Sequence, residues 1–134
     1  MIDSRTEAFT FLGYEFLGNG HWPSRKSLKK VKQTLKRKTR RVDGRSLKCI
    51  IADVNQTLRG WFAYFQHSTR KGHYKDLDSW LRMRLRSLLR KRQGGHGVAR
   101  GLTASFTWPN RFFANHGLFS LATAHALACQ SSRR

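Results

Sequence analysis

From Leu47 to Phe65 the apolar side chains return every three or four residues: Leu47, Ile50, Ile51, Val54, Leu58, Trp61, Phe62 and Phe65. On a helix that spacing gathers them on one side, whereas on a strand it scatters them over both faces, so only a helix buries them together. Ser46 stands where the N-cap is needed. Burying each such side chain contributes roughly 1.5 to 3 kcal/mol. This helix is therefore the expected centre of the core, and the rest of the chain must supply its partners.

Two further helices are predicted around it. Pro23 and the stretch 24–27 hold breaker and cap residues ahead of a first helix over about 27–41, where Leu28, Val31, Leu35 and Val42 form a narrow apolar stripe and Asp43-Gly44 supplies a stop. After the polar loop 67–73, a third helix over about 74–92 shows Leu77, Leu81, Leu85, Leu88 and Leu89 on one side and Arg82, Arg86 and Arg90 on another. Asp76 and Asp78 fall at its start, where negative charge suits the unpaired amides.

Upstream, the aromatic segment 9–22 with Gly18-Asn19-Gly20 in its middle predicts a short hairpin, too small to stand without leaning on the helices. The Gly-rich segment 93–105 breaks the pattern. Beyond it Phe106, Trp108, Phe112, Phe113, Leu118, Phe119, Leu121 and Leu127 predict one or two short helices covering an apolar edge. The expected fold class is mainly α: a three-helix bundle preceded by a short β-hairpin and followed by a short helical extension. The expected divisions are 1–23, 24–93 and 94–134.

Charge narrows the function. The 134 residues carry 27 Lys plus Arg against 7 Asp plus Glu, a formal charge of +20. A polyanion neutralises such an excess with release of its counterions, which makes nucleic acid the expected partner. The basic stretches are too charged to lie in lipid, and no apolar run approaches the roughly 18 residues of a spanning helix, so no membrane partner is expected. The start of the chain lacks a secretory pattern, which points to the cytoplasm. Cys49 and Cys129 show no metal or disulfide spacing and read as free or buried thiols.

Catalytic patterns are missing. Two-metal chemistry needs clustered carboxylates, and Asp3, Glu7, Glu15, Asp43, Asp53, Asp76 and Asp78 are scattered. The histidines do not take zinc spacing, and no phosphate-binding Gly-rich loop precedes a helix. Neither a metal nor a cofactor is expected. Within the second helix, Gly60 suggests close approach of another backbone. Asn55 and Arg59, one turn apart, can bond each other or offer donors to a phosphate. Trp61, Phe62 and Phe65 belong with the core stripe, while Tyr64 and Trp80 are candidates to stack on unpaired bases.

The order FLGYEF, a basic helix after Pro-Ser, Asn55-x-x-Leu58-Arg59-Gly60-Trp61-x-x-Tyr64-Phe65, then Leu77-Asp78-x-Trp80-Leu81-Arg82-x-Arg84-Leu85-Arg86 resembles the maturase-specific region of group II intron reverse transcriptases. The stretch 117–121, Gly-Leu-Phe-Ser-Leu, is similar to the end of those proteins. The resemblance implies a helical region, also called domain X or thumb, that grips intron RNA to promote splicing and holds template and primer during reverse transcription. It also implies that FLGYEF corresponds to the last palm-side hairpin and that the palm with its metal site is missing here, so no enzyme activity is expected.

The candidate RNA-binding residues are Lys29, Lys30, Lys32, Lys36, Arg37, Arg40 and Arg41 on the first helix and Asn55, Arg59 and Tyr64 on the second. On the third they are Trp80, Arg82, Arg84, Arg86, Arg90 and Lys91. The expected partner is structured group II intron RNA. The alternatives are a template-primer duplex gripped by a thumb piece beside a separately encoded palm, general binding of duplex DNA, and a degenerate remnant.

Overall fold

The computed structural model describes residues 9–40, 44–92 and 107–132. Strands β1 (Phe9–Phe11), β2 (Tyr14–Leu17) and β3 (Gly20–Pro23) form an antiparallel sheet in that order. Helices α1 (Arg25–Lys38), α2 (Leu47–Phe65) and α3 (Gly72–Arg92) follow, and a short helix α4 (Asn110–Asn115) leads to α5 (Leu121–Ser132). The mainly helical class and the β2-β3 hairpin agree with the sequence. Asp43, Arg41, Val42 and the Gly-rich segment 93–105 lie outside the described residues.

The third strand is a surplus over the predicted hairpin. Gly18 at φ +60° opens the β2-β3 turn, the position at which a two-residue hairpin of this kind needs glycine. The β1-β2 turn uses Leu12 at φ +53° and Gly13 at φ +86°. A leucine rarely takes a positive φ, so nothing in the residue types announces that turn. Gly13 also sits where a side chain would collide with Ser27 Oγ at 3.1 Å and Phe65 Cζ at 3.2 Å. Its carbonyl accepts from Ser24 N at 2.8 Å and Ser27 Oγ at 2.9 Å. The sheet is thereby fastened to the start of α1 and the end of α2, and it leans on the helices as its size requires.

Ser24 caps α1 by accepting from Ser27 N, and Ser46 caps α2 by accepting from Cys49 N. The α2 stripe forms the core centre: Ile50, Val54 and Leu58 are fully buried. Val31 and Leu35 of α1 and Leu77, Leu81, Leu85 and Leu88 of α3 pack on it, and Trp108, Phe113 and Leu121 complete the same cluster. Tyr74 joins them, fully buried, with its hydroxyl donating to the Phe65 carbonyl. Burial pushes its pKa up to about 12. No described helix is long and apolar enough to cross a membrane.

One ion-pair cluster ties α1 to α2. Lys38 Nζ lies 3.0 Å from Asp53 Oδ1 and donates to Thr57 Oγ1 at 2.6 Å, while Arg45 Nη1 donates to Asp53 Oδ2 at 3.0 Å. The hydrogen bonds from Lys38 and Arg45 hold the Asp53 carboxyl below its ordinary pKa. A carboxyl lowered in the native state adds stability above its unfolded pKa of about 4, and that stability is lost as pH falls through the native value. For this partly exposed cluster the contribution is no more than about 1 kcal/mol. Asp53→Asn is therefore expected to flatten the acid side of a urea-midpoint titration from about pH 5 downwards. Identical titrations of the two proteins would remove Asp53 as a source of acid sensitivity.

Candidate nucleic-acid interface

On α1 the buried positions Val31 and Leu35 face the core, which leaves Arg25, Lys26, Lys29, Lys30, Lys36 and Arg37 exposed on the opposite arc, with Arg40 exposed just past the helix end. Among the described residues none of these seven makes an ion pair. Lys36, Arg37 and Lys38 also occupy the last turn, where positive charge suits the helix dipole. The outcome is a cationic strip about 20 Å long, given a rise of about 1.5 Å per residue.

Lys32 and Trp80 sit at the seam between α1 and α3. The Lys32 ammonium lies 5.4 Å and the Arg84 guanidinium 5.6 Å from the Trp80 ring centre. Arg84 Nε donates to Thr39 Oγ1 at 2.9 Å, and its Nη2 donates to the Thr39 carbonyl at 3.3 Å. These bonds serve carbonyl and hydroxyl groups at the end of α1, where helices leave acceptors unpaired. Arg84 is thus a clasp between two helices, and Trp80, a half-buried part of the same clasp, already has two cations of the chain near its ring.

Three other candidates also find partners inside the chain. Asn55 is buried, its Nδ2 donating to the Gly117 carbonyl at 2.7 Å and its Oδ1 accepting from Phe119 N at 2.8 Å. Among the described residues it makes no bond to Arg59; it holds the 117–119 turn. Arg59 instead extends over the Phe119 ring, 5.7 Å from its centre. Tyr64 is half exposed, yet its hydroxyl donates to the Leu12 carbonyl while that of Tyr14 donates to the Tyr64 carbonyl at 2.7 Å.

Gly60 is exposed, and beyond its own stretch of helix no atom of the described residues comes within 4 Å of where a Cβ would stand, so the close approach expected there is not made among the described residues.

On α3, Arg86 Nε donates to the Trp108 carbonyl at 2.7 Å and Nη2 to Asn110 Oδ1 at 2.9 Å. Burial, and after it the charge of Arg82, lowers the Arg86 pKa. Arg82 Nη2 donates to Ser79 Oγ at 3.3 Å, and its Nε is buried with no acceptor among the described residues. Arg90 and Lys91 are exposed in the last turn. The arginine row predicted as one solvated surface therefore divides: Arg86 anchors the segment before α4, Arg82 borders a pocket, and Arg90 lies exposed in the final turn.

Asp78 departs furthest from expectation. The helix it was expected to cap begins at Gly72, and its carboxylate serves a different helix: Oδ1 accepts from Leu121 N at 3.0 Å, and Oδ2 accepts from Ala122 N and Ser120 Oγ, each at 3.0 Å. A carboxylate buried to 5% exposure is tolerable there because the N-terminus of α5 offers both donors and a favourable dipole.

The family model describing the group II intron maturase-specific domain matches residues 28–103, from within α1 to beyond α3. No curated protein matches the chain. The matched region is the maturase-specific part and not a catalytic palm. With more than half of its length matched and with the helical frame described above, the chain belongs to the group II intron maturase-specific domain family.

Proposed function

We propose that this domain binds the folded RNA of a group II intron through the exposed arc of α1 and stabilises that fold, so that the RNA performs its own splicing chemistry. The observation carrying this reading is a strip of six exposed cations on one helix, extended by Arg40 past its end, without an acidic partner among the described residues. Such a strip gains free energy from each phosphate it meets, whatever the base sequence. The protein then needs no acid or base of its own, and its place of action is the cytoplasm.

The test is splicing of a group II intron transcript at a magnesium concentration too low for efficient reaction by RNA alone. The expected result is a rate increase of about tenfold or more on adding the protein, which corresponds to about 1.4 kcal/mol of extra stability in the active RNA fold. Binding without any acceleration would sink the splicing role. A second reading, a thumb piece that grips a template-primer duplex beside a separately encoded palm, is favoured by the exposure of Leu12 and Leu17 on the sheet, 69% and 38%. It predicts that this chain raises the processivity of a palm-containing reverse transcriptase fragment.

A further inference from the structure

We infer that the domain holds two separate stretches of RNA at once, one on the α1 strip and the other through a phosphate seated in an arginine-rimmed pocket between α3 and the C-terminal segment. This rests on the RNA reading above and adds a second site and a bridging geometry to it.

The pocket has a volume of about 220 Å³, and Arg82, Asn110, Arg111, Ser120 and Thr123 are among its lining residues. Arg59 approaches from α2 across Phe119, which lines the same pocket, and Arg86 lies 5.4 Å from the ring centre of another lining residue, Phe113. Two guanidinium groups, from α3 and α4, thus line the cavity, and two more lie against the rings of its aromatic walls. Asp78 is the acidic residue lining it, and both its oxygens are engaged in capping α5.

The cations are undersupplied with acceptors. Arg82 keeps one long bond to Ser79 and a buried Nε without a partner, and Arg111 is exposed with no partner among the described residues. Crowded like charges in a partly desolvated site are stabilised by an anion, and the guanidinium fork matches the oxygens of a phosphate better than any other common group. Asn110, Ser120 and Thr123 add neutral hydrogen-bonding groups around the same space. The cavity is large enough for one phosphate with part of its ribose.

Its placement separates it from α1. On α3, Trp80 and Arg84 face α1, whereas Arg82 and Arg86 stand two residues on, about 200° around the helix, and face the C-terminal segment. A straight duplex lying on one face does not reach the other. A protein with phosphate contacts on two opposite faces ties two segments of RNA together, and tying segments that must pack raises the effective concentration of each at the other.

The test uses two short RNA duplexes, one carrying an energy-transfer donor and the other an acceptor, mixed with one protein per two duplexes at low salt. The wild-type chain is expected to produce transfer. The Arg59→Gln/Arg111→Gln variant removes two exposed side chains that contribute little to the fold, and it is expected to lose most of the transfer while the affinity for a single duplex changes less than about threefold. Arg82→Gln should act in the same direction. Transfer that persists in both variants overturns the inference, as does wild-type binding of one duplex without transfer, the result for a pocket that takes only free phosphate. A wild-type chain that binds no duplex at all would instead defeat the RNA reading on which this one rests.

Discussion

Replacing Lys29, Lys30, Lys36 and Arg37 together with glutamine is expected to lower RNA affinity on the order of a hundredfold at about 0.1 M salt and to reduce the slope of log K against log salt by about 3. Each phosphate contact contributes roughly 0.7 to 0.9 to that slope, so four lost contacts account for the change. The four side chains are exposed on α1, and their replacement should leave the helical signal and the unfolding midpoint nearly unchanged. Binding measured across a salt series settles it: an unaltered slope would mean that the strip does not meet the phosphates. The same experiment on the arginines of α3 is harder to read, because Arg86→Ala would also release Trp108 and Asn110.

Asp78→Ala should be the most destabilising single polar substitution, costing about 2 to 4 kcal/mol in urea unfolding. The change strands Leu121 N, Ala122 N and the Ser120 hydroxyl, three donors that now share one buried carboxylate. Asn55→Ala strands the Gly117 carbonyl and Phe119 N in the adjoining turn. Because the two residues hold neighbouring groups of one short segment, 117–122, the double variant should lose less than the sum of the two single ones, by about 1 kcal/mol or more. A cost below about 1 kcal/mol for Asp78→Ala, or strict additivity, would show that the turn is held by its apolar contacts instead.

The parts of the fold that rest on local periodicity were legible. The α2 stripe predicts the helix that forms the core centre, and Ser24 and Ser46 cap as their chemistry suggests. What escaped depends on partners far along the chain. Asn55 meets Gly117 and Asp78 meets Leu121 across 62 and 43 positions, and no spacing rule links such pairs. Tyr74 stands at the first turn of a helix in a polar stretch, yet it is fully buried because Phe65 offers its hydroxyl an acceptor.

The candidate interface was half legible for a similar reason. Charge counting finds every arginine but cannot tell a clasp such as Arg84 from an open cation such as Arg37, since the difference lies in whether a helix end is near. Arg111 was passed over because Arg82, the other arginine lining its pocket, comes from α3, and only the folded chain sets the two around one space.

The turn gripped by Asn55 and Asp78 also bears on the order in which the molecule is made. Both side chains leave the ribosome long before their partners at 117–122, and until those partners arrive each must stay wet. The nascent bundle can therefore collapse before this corner closes: the two side chains exchange their water for chain partners only when the tail docks.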